Sequence, residues 1–367
     1  MEQNDEFNNK QLKLFEMEAA QKEREKKPDH VPDCVIMIRP TDFRADDETA
    51  ADNIFQKKTK LPQEEILKRA QKEFDEYVKV LREKGVKVIV IDKSRIPELS
   101  NVQMPDGVFP NWFTIEPNGV LVVYSMEEKV RDNERKLLKY LERALFDEGY
   151  KIRTILVIGS TYDPQEHSLE GTGALVFDRV NKIIYSGNSR RAHRDYFNIL
   201  CELLGYRGVN FDTAMTNGDP FYHTDLYLVM GHKFAVVCLD AIKGDMREVV
   251  KKELTATGKE IIEISLDQVE NSFCGNLFEI RSKRDDKKYL VMSKRAHSGF
   301  TEDQLSRIAK FAEPLVVDLD IIECVGGGSA RCMLNGNYLP KISDKKPANA
   351  DVHPIDPKNI DCGIQFC

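Results

Sequence analysis

Cys332, His223, Glu170, Asp106 and Asp225 are of the types that together could break a carbon–nitrogen bond through a covalent thiol intermediate. A free thiol ionises near about pH 8.5, so a nucleophilic cysteine needs a cationic or dipolar neighbour to be useful at neutral pH. His223 can supply that charge and then act as general acid toward a departing amine. Three carboxylates around a neutral ligand would repel one another and raise their own pKa values. Around a planar cation rich in N–H donors they become a clamp that accepts paired hydrogen bonds. The set therefore points to attack on the central carbon of a guanidino or ureido group.

Each residue also has an ordinary reading. Cys332 follows Gly326, Gly327 and Gly328, which suit close backbone approach but also plain turns. His223-x-Asp225 places both side chains on one face if the segment is a strand, where they could be a structural pair or half a metal site. Glu170 and Asp106 stand beside glycines and could be turn residues. Position adds what type does not. MPDGVFPNW, SLEGTGAL, DPFYHTDLYL, NSFCGNLFEI and GGGSARCML each lie just before an alternating, strand-like stretch, and four of the five hold these residues.

The elements that must position them repeat along the chain. Helix-like stretches run into short β-branched strands at FDEYVKVLREKG/VKVIVID, LLKYLERALFDEGY/TILVIG, YFNILCELLGY/VNF, MREVVKKELTATG/EIIEISL and QLSRIAKFAE/LVVDLDI. With Val88, Ile155, Val209, Ile262 and Val316 as strand markers, the intervals are 67, 54, 53 and 54 residues. Alternation and turn chemistry add hairpins before the helices, at ALVFD/KIIYSG, LYLVM/KFAVVCL and LFEIRS/KYLVMSK. The expected unit is ββαβ, used five times, and such units share a core when arranged in a ring. Equivalent pre-hairpin segments would then meet near a common axis and line a pocket. The competing arrangement is an α/β sandwich with coincidental spacing.

Composition narrows the class. The chain has 367 residues, 41% hydrophobic and 31% charged, with a net charge of −7, which disfavours nucleic acid or a membrane surface as the main partner. Its eight cysteines are scattered without CxxC pairs, consistent with free thiols in a reducing, cytoplasmic setting. No apolar segment follows the charged start, so no signal peptide is expected. Neither a G-x-x-x-x-G-K-[ST] loop nor G-x-G-x-x-G between strand and helix occurs, which argues against nucleotide binding. The run SRRAHR opens the third helix and is expected to be half solvated, with one arginine free to reach a substrate carboxylate. His167, His193, His232 and His297 have no evident partners and read as surface or turn residues.

Beyond these local readings, VIMIRP, PDGVFPNWF, the Glu-Gly-x-Gly of EGTG, YHTDLYL, SFCGNLFEI and GGGSARCML together resemble the arginine deiminase/amidinotransferase superfamily, the penteins. The closest likeness is to the arginine-deiminase-related citrulline-utilisation hydrolases, over about residues 35–340. The resemblance implies a five-bladed pseudo-symmetric α/β propeller. It implies Cys332 as nucleophile, His223 as general acid/base and Glu170 as the acid that binds substrate and orients His223. It further implies Asp106 and Asp225 as guanidino-binding carboxylates and Arg191, from the Ser-x-Arg at 189–191, as the holder of a substrate α-carboxylate. The implied reaction passes through an S-alkylthiouronium intermediate that water resolves, with no metal or organic cofactor.

The expected organisation is a charged N-terminal arm over 1–30, possessing a short amphipathic helix around Leu12 to Ala20, one catalytic domain over 31–340 and an irregular tail over 341–367. Expected partners are a small guanidino or ureido substrate, without nucleic acid or membrane, and a homodimer stays open. Two alternatives accompany the hydrolase. An amidinotransferase would resolve the intermediate with an amine, and a non-catalytic pentein would bind a macromolecule, as the ribosome anti-association factors do.

Overall fold

A computed structural model of the chain describes residues 31–45, 53–57, 59–159 and 167–342. The expected arm with its helix near Leu12, and nearly all of the expected tail, lie outside the described residues.

The chain enters its first sheet with β1 (Cys34–Arg39), crosses over through α1 (Gln63–Glu83) and returns parallel to β1 as β2 (Lys87–Asp92). Burial along α1 recurs at Ile66, Ala70, Phe74, Tyr77, Val78 and Leu81, one apolar stripe on a helix whose other face is charged. The second sheet holds the hairpin β3 (Phe113–Ile115) and β4 (Val120–Tyr124), then α2 (Leu138–Asp147), then β5 (Thr154–Ile158) parallel to β4. The third repeats the plan with β6 (Val176–Asp178), β7 (Ile183–Gly187), α3 (Arg194–Leu204) and β8 (Arg207–Phe211). Gly205, at a φ of 66°, ends α3 in the left-handed conformation that glycine adopts without strain.

The fourth sheet comprises β9 (Leu228–Met230), β10 (Phe234–Val237), α4 (Met246–Ala256) and β11 (Glu260–Glu263). The fifth comprises β12 (Phe278–Arg281), β13 (Lys288–Ser293), α5 (Glu302–Ala309) and β14 (Glu313–Val317). Thr301 and Gln304 form a reciprocal capping box that starts α5. The chain then passes a short helix, Asp320–Gly326, and the glycine loop, and ends in β15 (Asn335–Gly336), antiparallel to β1 with Val35 opposite Gly336. The first sheet thus takes its third strand from the far end of the described chain.

The result is an α/β fold with five small three-stranded sheets among the described residues. The central strand of each pairs with one antiparallel and one parallel neighbour, and every marker residue from Val88 to Val316 falls in the parallel neighbour, the strand that follows the helix. The leading strands of different sheets approach one another, β15 beside β3, β6 beside β9 and β9 beside β12. No helix among the described residues is long and apolar enough to cross a membrane.

Three local expectations need correction. His223 and Asp225 do not share a strand: His223 is extended, but Thr224–Leu226 forms a tight 3-10 turn and β9 starts only at Leu228. Thr224 causes this, since its hydroxyl donates to Ala174 O at 2.7 Å and accepts from Gly187 N at 2.9 Å. SRRAHR is half solvated as expected, with Arg190 exposed and Arg191 buried, but α3 begins only at its last residue, Arg194. His167 and His193 are partners, with rings stacked 3.5 Å apart at 13°, and the backbone N–H of His232 donates to Glu279 at 2.6 Å.

Candidate active site

The segments preceding the hairpins converge as the repeat requires. One cavity is walled by Asp106, His223, Arg191 and Cys332 together with Arg131 and the glycine loop at Gly327. Glu170 and Asp225 stand directly behind this wall, so all six residues singled out in the sequence come together.

Glu170 precedes a single helical turn, Gly171–Ala174, and its backbone bonds to Arg191 O at 2.9 Å. The two glycines of that turn are required by packing. A Cβ on Gly171 would lie 2.4 Å from Asn111 O, and one on Gly173 would lie 2.4 Å from Nδ1 of His223. The imidazole therefore rests against the backbone of residue 173. Its Nε2 lies 2.7 Å from Glu170 Oε2, while Glu170 Oε1 accepts from Glu127 N at 3.1 Å.

Two guanidiniums surround that carboxylate. Arg131 Nη1 and Arg191 Nη1 each lie 3.6 Å from Glu170 Oε2. Arg131 also pairs with buried Glu134 at 2.8 Å and donates to Phe109 O at 2.8 Å, while Arg191 covers the Tyr222 ring at 4.9 Å. Burial would push the Glu170 carboxyl up, but Arg191, the His223 bond and Arg131 outweigh it and hold Glu170 well below the usual carboxylate range.

At the other end of the cavity stands the thiol. Cys332 Sγ lies 3.7 Å from Asp225 Oδ2 and 3.1 Å from Asn276 Nδ2. Burial, and then the charge of Asp225, push its pKa up; a backbone bond from Ser329, the Asn276 bond and the charge of Arg331 oppose the rise. Burial also raises Asp225, against the charges of Arg331 and His223, and its Oδ1 accepts no hydrogen bond from the described residues. A buried carboxylate oxygen beside the thiol is an arrangement suited to a cation with N–H groups.

The glycine loop closes the wall. Gly327, at a φ of +64°, has its carbonyl bonded by the Tyr222 hydroxyl at 3.1 Å, and Gly326 O accepts from Asn53 at 3.3 Å. A Cβ on Gly326 or Gly328 would meet the Phe109 ring at 2.7 or 2.8 Å. The loop can thus pass close to Phe109 and turn Cys332 toward the cavity.

Sequence reading missed Arg131, Tyr222, Asn53 and Asn276. Arg131 sits in the charged run EEKVRDNERK, whose composition is that of a solvated face, so nothing local marks it. Asn276 had a usable signal, since it lies in the one pre-hairpin segment from which no residue was drawn. No group of three or more metal-ligating side chains occurs among the described residues.

Comparison with known proteins follows the same lines. The family model described as N,N dimethylarginine dimethylhydrolase, eukaryotic, matches residues 39–339. No curated protein matches the chain in sequence. Among solved structures, ArgZ, an arginine dihydrolase from the ornithine-ammonia cycle in cyanobacteria, superposes with a TM-score of 0.63 at 18% identity, covering 85% of this chain. The match spans 41% of the ArgZ chain. The N-terminal domain of ArgZ covalently bound to a reaction intermediate gives 0.62 at 17% identity, over 84% of this chain and 99% of that one. A dimethylarginine dimethylaminohydrolase adduct with S-methyl-L-thiocitrulline gives 0.54 at 14% identity, over 83% and 98%. At such identities the structural likeness is one of fold.

Proposed function

The chain belongs to the family of eukaryotic N,N-dimethylarginine dimethylhydrolases, within the pentein superfamily of arginine-modifying enzymes, and from that premise we propose that it hydrolyses the guanidino group of arginine or an arginine derivative through Cys332. The observation that carries this reading is the shared cavity of Cys332, His223 and Asp106, with Glu170 bonded to the imidazole at 2.7 Å and Asp225 beside the sulfur at 3.7 Å.

A guanidinium enters with its N–H groups toward Asp106 and Asp225, and its positive charge offsets the negative charge that keeps the thiol protonated. As the cation arrives the thiol proton passes to His223, and the sulfur adds to the central carbon. The ring nitrogen of His223 that Glu170 does not hold gives a proton to the departing amine as the C–N bond breaks. The product of this step is a thiouronium on Cys332. His223, now neutral, takes a proton from water as the water oxygen adds to the same carbon. Collapse of that adduct breaks the C–S bond, passes its hydroxyl proton to the sulfur to return the thiol, and leaves a ureido product, while the proton on His223 goes to solvent, where the released amine takes it up. Glu170 keeps the imidazole oriented throughout, and Arg191 with Arg131 sets a positive end for a substrate carboxylate. The atoms balance on cysteine, histidine and water.

In this reading residues 31–340 are one catalytic domain, with the five sheets as blades around the axis on which the cavity opens. The contacts of β15 with β3 and of β9 with β6 and β12 support that arrangement.

The test is a mass-spectrometric screen of arginine, methylarginines, agmatine and citrulline with the wild type and Cys332→Ser. Release of ammonia or an alkylamine by the wild type alone is the expected outcome. Turnover that survives in Cys332→Ser, or none with any of these compounds, overturns the proposal. Added glycine separates hydrolysis from amidino transfer, because only a transferase puts the acceptor into the product.

A further inference from the structure

Asn276 belongs to none of the steps above, yet its side chain is more completely bonded than any other near the sulfur. It is fully buried. Its Nδ2 donates to Cys332 Sγ at 3.1 Å and to Asp225 O at 3.2 Å. Its Oδ1 accepts from the backbone N–H of Arg331 at 3.0 Å and of Cys332 at 3.3 Å. Two donors and two acceptor directions are all that a primary amide has. Exchanging its oxygen and nitrogen would set N–H against two N–H groups and oxygen against a carbonyl, so one orientation remains.

The geometry points to Asn276 as a catalytic residue of the proposed reaction: it clamps the backbone that bears Cys332 and donates Nδ2–H to the sulfur as the thiolate forms. This deepens, and rests on, the reading of Cys332 as nucleophile.

The surroundings of the sulfur show why such a donor matters. Asp225 faces it at 3.7 Å and opposes ionisation. Arg331 and the Ser329 backbone favour ionisation, Tyr77 of α1 lies near, and His223, Asp106, Arg131 and Arg191 line the same cavity. Among the described side chains, Asn276 is the neutral donor bonded to the sulfur itself. A neutral amide stabilises the anion at every working pH and does not compete with Asp225 or Asp106 for a cationic substrate. Its placement is built into the fold. A Cβ on Gly275 would lie 2.0 Å from Leu226 O, and Phe273 just before it adopts a left-handed φ of 55°. Glycine at 275 brings the fifth segment against Leu226 and Tyr227 and passes residue 276 between Asp225 and Cys332.

The experiment compares the full chain with Asn276→Asp and Asn276→Ser. Asp keeps the shape and an acceptor for the two backbone N–H groups but sets oxygen where the donor stood; Ser withdraws both. Peptide-resolved alkylation of Cys332 by iodoacetamide across pH, without substrate, gives the thiol pKa. In both variants it is expected to rise by about one unit or more. The kcat should fall about tenfold to a hundredfold while KM changes little. Folded variants whose alkylation profile coincides with the wild type, or whose loss lies in KM alone, overturn the proposal. Where the variants do not fold, the unmutated chain decides. The side-chain ¹⁵N resonance of Asn276 should shift with thiol ionisation, and one that stays fixed through that titration overturns it. Neither thiol readout needs turnover. Failure of the substrate screen with an intact Asn276 effect would therefore count against the proposed reaction alone, and the converse against Asn276 alone.

Discussion

Glu170 and His223 meet at a single oxygen: Oε2 of the carboxylate is 2.7 Å from the imidazole and 3.6 Å from each of two buried guanidiniums. That atom holds the ring and also balances Arg131 and Arg191, so the proposed chemistry and folding draw on the same charge.

Glu170→Gln should therefore lower kcat by about 10²- to 10⁴-fold and destabilise the fold by roughly 3 kcal/mol, because two buried cations lose a carboxylate. The folded pKa of Glu170 is depressed, so its contribution is present above the unfolded carboxylate value near about 4.3 and is lost as pH falls through the folded value. Thermal melts should show the wild type losing stability below about pH 4 more steeply than the variant. Parallel acid profiles would contradict this.

Asp225→Asn should move two readouts in opposite directions. The carboxylate raises the Cys332 thiol, so removing its charge lowers the thiol pKa and speeds alkylation of Cys332 at neutral pH. Turnover of a guanidino substrate should meanwhile fall by about a hundredfold or more, since a partner of the cation is gone. Slower alkylation in the variant would show that Asp225 acts on the thiol in some other way.

Gly173→Ala tests the floor beneath the imidazole. The added Cβ would lie 2.4 Å from His223 Nδ1, so the ring must move. A shift of about 1 Å should cut kcat about a hundredfold, with a stability loss of about 1–3 kcal/mol. A variant of wild-type kcat would mean that the position of the ring is not critical.

Glu73 offers a pH response away from the cavity. This α1 residue accepts the backbone N–H groups of Ile321 and Ile322 at 2.8 and 3.0 Å, where the chain turns toward the glycine loop. Burial pushes its carboxyl up to about 7. With the folded value above the unfolded one, its contribution is full below about pH 4.3 and is lost as pH rises through about 7. Glu73→Gln removes the titration but sets its amide nitrogen against one of the two backbone N–H groups, so it should lower the melting temperature and abolish the fall that the wild type shows between about pH 5 and about pH 8. A variant with the same fall over that range would refute the assignment.

How far the sequence could be read depended on how local each cause was. The strands after the helices announced themselves because Val88, Ile155, Val209, Ile262 and Val316 sit in short β-branched runs after amphipathic helices, and both signals are contained within a dozen residues or so. The convergence of Glu170, His223 and Cys332 was readable from the repeat, which converts position within a unit into position in space. The turn at Thr224 was not, since the bonds that form it reach Ala174 and Gly187, 50 and 37 residues away. Arg131 was equally hidden: it is buried by partners that its own charged neighbourhood does not mention, Glu170 and the carbonyl of Phe109.

The pairing of β15 with β1 has a consequence for biosynthesis. Val35 and Gly336 are joined across about 300 intervening residues. A ribosome would therefore have completed four sheets before Asn335 emerged to dock on a strand made long before. Cys332 lies three residues ahead of that docking strand, so its sulfur would be among the last atoms to reach its place. Until then the nascent chain holds an unanchored cysteine, and the proposed centre is complete only as β15 clasps β1.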